Sequence, residues 1–245
     1  MVYSGPVGPT DWHAHHAFQI TLGLDAPILL LGREDQRPEA CQVAVIPSDA
    51  EHRIDAGRME SVFFYVDPET IPGRRLRRVA APTARASAWR EHGSSLMTQT
   101  TRQRPLSWTE AAACRDDMLA GLLGEGCRPV PLHPALAQVR RWLCSQLNGG
   151  DVSLARAALE VDLSEGRLSH LFGEELGLGI RPFVLWLRLQ KAAAELAAGQ
   201  SLSTAAAAAG FADGAHLSRT FRRMFGLAPS DITRVATFVG PPGAL

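Results

Sequence analysis

Histidine, arginine and serine at particular spacings are where this chain could do chemistry. His13 and His15 lie one residue apart, His16 follows, and a second polar segment, Pro47-Ser48-Asp49-Ala50-Glu51-His52, brings a further imidazole. Side chains two apart on an extended strand share a face, so His13 and His15 can both turn inward toward His52. Three neutral imidazoles can hold a metal ion; they can equally line a polar pocket or be satisfied by hydrogen bonds in a core. A ligand pocket is the expectation, with Trp12 and Phe18 as apolar or stacking walls. A second chemistry belongs to Arg219, Arg222 and Arg223 near the C-terminus, and to Arg167, Ser169, His170, His216 and Ser218. Such groups donate to base edges and phosphate oxygens. A third cluster is Gly73-Arg74-Arg75-Leu76-Arg77-Arg78, which reads as a solvated helix-leading run, with an anion site as its alternative.

A duplicated unit must position the second group. Residues 164–178 read SEGRLSHLFGEELGL; 49 positions on, residues 213–227 read DGAHLSRTFRRMFGL. Leu168, Ser169, Phe172, Gly177 and Leu178 thereby fall on Leu217, Ser218, Phe221, Gly226 and Leu227. Each copy opens on an N-cap residue, Ser164 or Asp213, and closes on a glycine able to take the left-handed conformation. Helical spacing gathers Leu168, Leu171, Phe172 and Leu176 on one side, and Leu217, Phe221, Met224 and Phe225 in the second copy. The other side carries Gly166, Ser169, His170 and Gly173, then Ala215, Ser218, Arg219 and Arg222. Any amphipathic helix has a polar side. Two matched copies, each preceded by another short helical run, predict two helix-turn-helix units whose second helices enter a major groove.

From His133-Pro134 to about residue 234 the chain resembles the C-terminal DNA-binding domain of AraC-type transcription regulators, the AraC/XylS family. The likeness is carried by His133-Pro134, Ser153-Leu154-Ala155, Leu168-Ser169-His170-Leu171-Phe172, and Phe183 through Arg188-Leu189 to Ala192. It continues in Gly210-Phe211-Ala212-Asp213, His216-Leu217-Ser218-Arg219, Phe221 and Pro229. The sequence departs from the family at Gly179, which replaces a capping Ser or Thr, and at Pro182, tolerable only in the first turn of a helix. Ala205 replaces a larger aliphatic residue, and Ile232-Thr233 an aromatic–arginine pair. The resemblance implies double-stranded DNA as the partner. Arg167, Ser169, His170, His216, Ser218 and Arg219 are the candidates for bases, and Arg222 and Arg223 for phosphates. A linking helix over about 181–198 would space the two reading helices one turn of duplex apart, roughly 34 Å. Glu165, Gly166 and Gly173 leave the first reading helix little capacity to read bases.

At 245 residues and 46% apolar composition, two domains with formed cores are expected. There is no run of eighteen apolar residues and no basic-then-apolar leader, so no membrane segment and a cytoplasmic location are expected. Cys41, Cys114, Cys127 and Cys144 lack CxxC spacing, which argues against structural zinc or a disulfide framework and fits a reducing compartment. Net charge is zero, and residues 129–245 hold eleven Lys/Arg against nine Asp/Glu. DNA affinity must therefore come from local placement of arginines.

Short apolar or alternating runs at 18–24, 27–31, 41–46, 52–55 and 61–66 predict the strands of a small sandwich or barrel. With its His-x-His and later His, this half resembles a reduced cupin, the jelly-roll barrel that commonly forms the effector domain of AraC-type regulators. In metal cupins such histidines converge inside the barrel, usually with a Glu. Gln19, a poor ligand, stands where the carboxylate is expected, so no metal and no cofactor is assigned. Residues 107–123 carry an apolar stripe (Trp108, Ala112, Met118, Leu119, Leu122 and Leu123) that could mediate dimerisation or pack on its own barrel. Residues 124–134, rich in Gly and Pro, read as a linker.

The expected fold is α+β: a cupin-like β-barrel effector domain (1–80), a helical dimerisation segment and linker (81–128), and an all-α DNA-binding domain with two helix-turn-helix motifs (129–240). The expected function is a homodimeric, sequence-specific transcription regulator whose barrel binds a small-molecule effector and modulates DNA binding or dimerisation. RNA polymerase is a further candidate partner. The chain is not expected to be an enzyme, and no Ser-His-Asp order, Walker loop or nucleotide fingerprint is present. The rival from another class is a metal-dependent cupin enzyme using His13, His15 and His52.

Overall fold

The structure, a computed structural model, describes residues 1–80, 82–94, 96, 105, 107–124, 131–233 and 237–239. The chain divides into two compact units: Met1–Pro129 together with Ser218–Ala244, and Val130–Leu217 with Leu245. Most of the expected linker, residues 125–130, lies outside the described residues, as does Cys127.

The five runs expected as strands are β2 (Phe18–Gly23), β3 (Ile28–Gly32), β5 (Val43–Ile46), β6 (His52–Asp55) and β7 (Met59–Val66). Sequence punctuation hid three more: β1 (Val2–Val7), β4 (Glu39–Cys41) and β8 (Thr237–Val239). β1 contains Gly5 and Pro6, ordinarily turn residues. Among the described residues β8 pairs with Val2 to Ser4, and Pro6 pairs with Glu60 of β7.

The strands do not form the closed cupin-like barrel expected from the sequence. They make a five-stranded sheet, β5-β2-β7-β1-β8, and a separate three-stranded sheet, β4-β3-β6. Closure is blocked where helix α2 (Ala86–Ser94) lies on β5, so close that a Cβ at Gly93 would fall 2.7 Å from the Val43 carbonyl oxygen. An isolated bridge between His13 and His52 ties the segment before β2 to β6.

Alternation along the strands sorts the two faces of the large sheet. Val2, Phe18, Ile20, Leu22, Val62, Phe64 and Val66 pack against helices α1 (Ile71–Val79) and α3 (Trp108–Leu123) through Leu76, Ala111, Met118, Leu119 and Leu123. Each such large side chain contributes about 1.5–3 kcal/mol by leaving water. The apolar stripe of α3 is thus covered by the chain's own sheet and gives no argument for a second copy. Arg75, from the arginine run, donates to the Gly124 carbonyl at 3.0 Å, placing a cation at the negative end of α3.

The second unit is helical. It contains α4 (Pro134–Gln146), α5 (Leu154–Leu159), α6 (Glu165–Leu176), α7 (Ile180–Ala197) and α8 (Leu202–Ala208). Helix α9 (Gly214–Phe225) begins in this unit and ends in the first, followed there by α10 (Pro229–Thr233). Ser153, Ser164 and Ser201 each accept a hydrogen bond from the backbone N–H three residues on, and Asp213 accepts from His216 N at 2.6 Å. Gly179 begins α7 without a side-chain cap, and Pro182 falls in that first turn. The core joins Leu136, Val139 and Leu143 of α4 to Leu168, Phe172 and Leu176 of α6 and to Phe183 and Leu187 of α7. Gly210 has φ +74°, and a Cβ there would lie 1.9 Å from the Leu147 carbonyl oxygen, so only glycine fits. Among the described residues no helix is long and apolar enough to cross a membrane.

Candidate functional site

Two surfaces and one interior cluster carry the residues singled out from the sequence. On α6, Leu168, Leu171, Phe172 and Leu176 are buried while Arg167, Ser169 and His170 are exposed. His170 Nε2 lies 3.0 Å from Glu174 Oε1, one turn along the same helix. A Cβ added at Gly166 or Gly173 would meet nothing within 4 Å, so packing within the chain demands neither glycine. On α9, Arg219, Arg222 and Arg223 are exposed and His216 and Ser218 half-buried. The His216 ring meets Phe211 edge-on, with centroids 5.2 Å apart. Arg222 Nε is 4.0 Å from Asp11 Oδ2. The opposite side of α9, Leu217, Phe221 and Phe225, is buried.

The interior cluster lies in the first unit. His13, His15 and His52 are buried, and one ring nitrogen from each comes within 4.8 Å of the others. Ring centroids are 4.1 Å apart for His13 and His52, 5.3 Å for His15 and His52, and 5.9 Å for His13 and His15. The three converge as the sequence suggested, but not from one strand: His13 and His15 sit in the segment before β2, held by the bridge at His13. His13 Nδ1 donates to the Asp11 carbonyl (2.9 Å), His52 Nδ1 to the Ala50 carbonyl (2.8 Å), and His15 Nε2 pairs with Gln19 Oε1 (2.7 Å). Burial, reinforced by the neighbouring His15, pushes His13 down to about 3. Burial likewise lowers His15, and burial with the two neighbouring imidazoles takes His52 well below its ordinary value. All three are therefore neutral at physiological pH.

The other two residues expected to line this pocket lie elsewhere. Phe18 is in the core shared with α1 and α3, on the opposite face of β2 from Gln19. Trp12 is half-exposed and covered by the Arg33 guanidinium, 4.1 Å from its ring centroid. Tyr3, Phe63 and Tyr65 stand with His13 and Gln19 around the interior space, and Phe225 and Leu227 complete it. That cavity is about 20 Å³, room for about one water molecule. Sequence reasoning missed the contribution of Phe225 and its neighbour Gly226, because residues two hundred positions away carry no local signal of where they dock.

Residues 154–234, about a third of the chain, match the family model described as a helix-turn-helix domain. Residues 154–234 therefore form a helix-turn-helix domain. This domain is of the AraC type, the one whose motifs the sequence displays. Among solved structures, ToxT from Vibrio cholerae O395 aligns with TM-score 0.56 at 11% identity, covering 96% of both chains. ToxT from Vibrio cholerae strain SCE256, with an unsaturated fatty acid bound, gives TM-score 0.56 at 11% identity over 98% of this chain and 96% of that one. At such identity these show a shared fold. An AraC-type DNA-binding-domain regulator from Chromobacterium violaceum is 27% identical over 41% of this chain and 90% of its own, with TM-score 0.39. No match was found among curated proteins. The enzyme reading built on His13, His15 and His52 has no support in any of these likenesses.

Proposed function

We propose that the chain is a sequence-specific transcription regulator that reads duplex DNA with α6 and α9 and senses a ligand in its first unit. The observation that carries this reading is the duplicated helix-turn-helix, each second helix showing polar or small residues outward and large apolar ones inward. Arg167, Ser169, His170, His216, Ser218 and Arg219 are assigned to base edges, and Arg222 and Arg223 to phosphate oxygens. The glycines of α6 leave its surface low enough for close approach to a groove, while α9 supplies most of the charge. With so little net charge available, binding should concentrate where Arg219, Arg222 and Arg223 cluster and weaken steeply with salt.

The relative solved with a fatty acid makes an effector in the first unit a reasonable counterpart here. A ligand of that size does not fit the 20 Å³ cavity beside the histidines, so an organic effector at that place would require the two sheets to part. Any effector acts only through its different affinity for the DNA-competent and incompetent arrangements. Selection of duplexes from a random pool by the full-length protein tests the reading. A recurrent motif, bound more tightly than scrambled duplex at the same salt, is expected; enrichment of no motif at any ionic strength would contradict it.

A further inference from the structure

We propose that the cleft between the β6–β7 hairpin tip and the α9–α10 junction binds a small zwitterion, an apolar α-amino acid, and that this ligand sets the DNA affinity of α9. The second half rests on the regulator reading; the first does not.

The cleft has a volume of about 430 Å³, inside the range of about 300–1,000 Å³ usual for small-molecule sites, and its lining residues all belong to the first unit. Pro6, Pro9 and Leu227 give it apolar walls, together with Tyr3, whose hydroxyl is spent on the Pro6 carbonyl at 2.7 Å. Two exposed side chains of opposite charge also line it: Arg58 from the hairpin and Asp231 from α10.

Arg58 occupies a place that arginine does not favour. Met59 N–H donates to the Ala56 carbonyl at 2.9 Å, and the two residues between them, Gly57 and Arg58, have φ 59° and 63°. Hairpin turns with both central residues left-handed favour glycine, asparagine or aspartate, because an ordinary side chain crowds its own carbonyl there. An arginine held against that preference points to a use for its guanidinium. Its N–H donates to the Val7 carbonyl at 2.9 Å, and its stem lies over Gly8, where an added Cβ would meet Arg58 Cγ at 3.7 Å.

Among the described residues neither Arg58 nor Asp231 has an ion-pair partner, although both line one cleft. Asp231 accepts from the Ala228 N–H at 3.0 Å through Oδ2, and a carboxylate has capacity for further donors. An anion alone would meet Asp231, and a cation alone would meet Arg58. A molecule carrying carboxylate and ammonium a few bonds apart answers both, and the apolar walls call for a hydrocarbon side chain. A second cleft, about 590 Å³ and beside α2, lacks such open charges: its guanidinium, on Arg90, already lies 3.0 Å from Glu39 Oε1.

The site adjoins the end of α9. Leu227 directly follows Gly226, whose carbonyl accepts from the Asp11 N–H at 2.9 Å. A ligand gripped by Arg58 and Asp231 ties the hairpin to the junction of α9 and α10, and so restrains the last turn of the helix bearing Arg219, Arg222 and Arg223. By linkage, DNA must change amino-acid affinity by the factor by which the amino acid changes DNA affinity.

The test uses the full-length protein. Calorimetry measures binding of L-leucine, L-isoleucine, L-valine, L-methionine and L-phenylalanine, and fluorescence anisotropy reads duplex binding with and without the tightest of them. At least one should bind once per chain with Kd of about 1 mM or tighter. If leucine is bound, 4-methylpentanoate, which lacks the ammonium, and leucinamide, which lacks the carboxylate, should each bind about tenfold more weakly or worse. Arg58→Gly should weaken binding about tenfold or more, and glycine adopts that φ freely, so the variant is expected to fold. Asp231→Asn, which keeps an oxygen for Ala228 N–H, should weaken it similarly. A shift in DNA affinity of about fivefold or more should appear in the wild type and vanish in Arg58→Gly. No binding by any of the five up to about 10 mM overturns the site without recourse to a variant. So does undiminished binding by both variants. A 4-methylpentanoate affinity equal to that of leucine overturns the zwitterion. Amino-acid binding with unchanged DNA affinity overturns the coupling. Protein that binds no DNA in either state refutes the regulator reading, while the calorimetry still decides the site.

Discussion

Gly177 and Gly226 occupy the same place in the two copies of the repeated unit, and both have left-handed backbone angles, φ 78° and 71°. Around Gly177 a Cβ would meet nothing within 4 Å; at Gly226 it would strike His13 Nδ1, the Asp11 carbonyl and Thr10 at 2.6–2.7 Å. One glycine only ends a helix. The other ends a helix and admits the neighbouring backbone against a histidine cluster. Duplication copied the local requirement, and tertiary packing added a second requirement to one copy alone. The helices differ in the same sense: α6 lies within the helical unit, whereas α9 starts there and finishes in the unit that holds the histidines.

Replacing both glycines is the strongest way to break this comparison. Gly177→Ala should cost about 1 kcal/mol, the penalty for a side chain in the left-handed region. Gly226→Ala adds a steric clash with backbone and a buried ring, and should cost about 3 kcal/mol. Equal costs in urea denaturation would show that Gly226 is not pressed onto His13.

Acid should separate the two units next. His13 binds a proton in the unfolded chain below about 6.5 but in the folded chain only near 3, because burial lowers it. Over that window the unfolded state holds more protons, so stability is full above pH 6.5 and falls as the pH drops. His13 alone should remove about 2 kcal/mol by pH 5, and His15 and His52 act in the same direction. The first unit should therefore melt earlier than the second as pH falls from 7 to 5. Hydrogen exchange resolved by segment would show it, and simultaneous loss of both units would argue against the assignment.

A smaller effect sharpens the contrast on the DNA side. Glycine inside a helix is less favourable than alanine by about 0.5–1 kcal/mol. Gly166→Ala and Gly173→Ala should each stabilise the protein by that amount, since nothing occupies the added space, and should weaken duplex binding because the methyl group stands on the reading face. Alanine variants that bind DNA as tightly as wild type would remove the rationale offered for these glycines.

Much of this was readable from residue order because it is local. N-cap serines, closing glycines and helical periodicity announce α6 and α9, and alternation announces β2, β3, β6 and β7. The convergence of His13, His15 and His52 was also legible, since a His-x-His and a later polar turn are both short signals. What could not be read depends on distant partners. Val2, Tyr3 and Ser4 of β1 pair with β8, more than two hundred residues away, which no local pattern announces. Phe18 and Gln19 are adjacent in sequence, yet face opposite sides of a sheet buried on both, where apolar and polar residues alternate without marking which face holds the site. The open edge of the barrel and the docking of Phe225 and Gly226 are likewise set by packing rather than by pattern.

Base-resolved duplex binding by Arg167→Ala and Arg219→Ala tests the account most directly. Each variant is measured against a panel of single-base substitutions of the selected site at fixed salt. Arg219→Ala should lose about 1–3 kcal/mol and relax preference at one base position in one half of the site. Arg167→Ala should lose less and relax a different position in the other half. If both variants keep wild-type affinity and an unaltered base preference, the two helices do not read DNA as proposed.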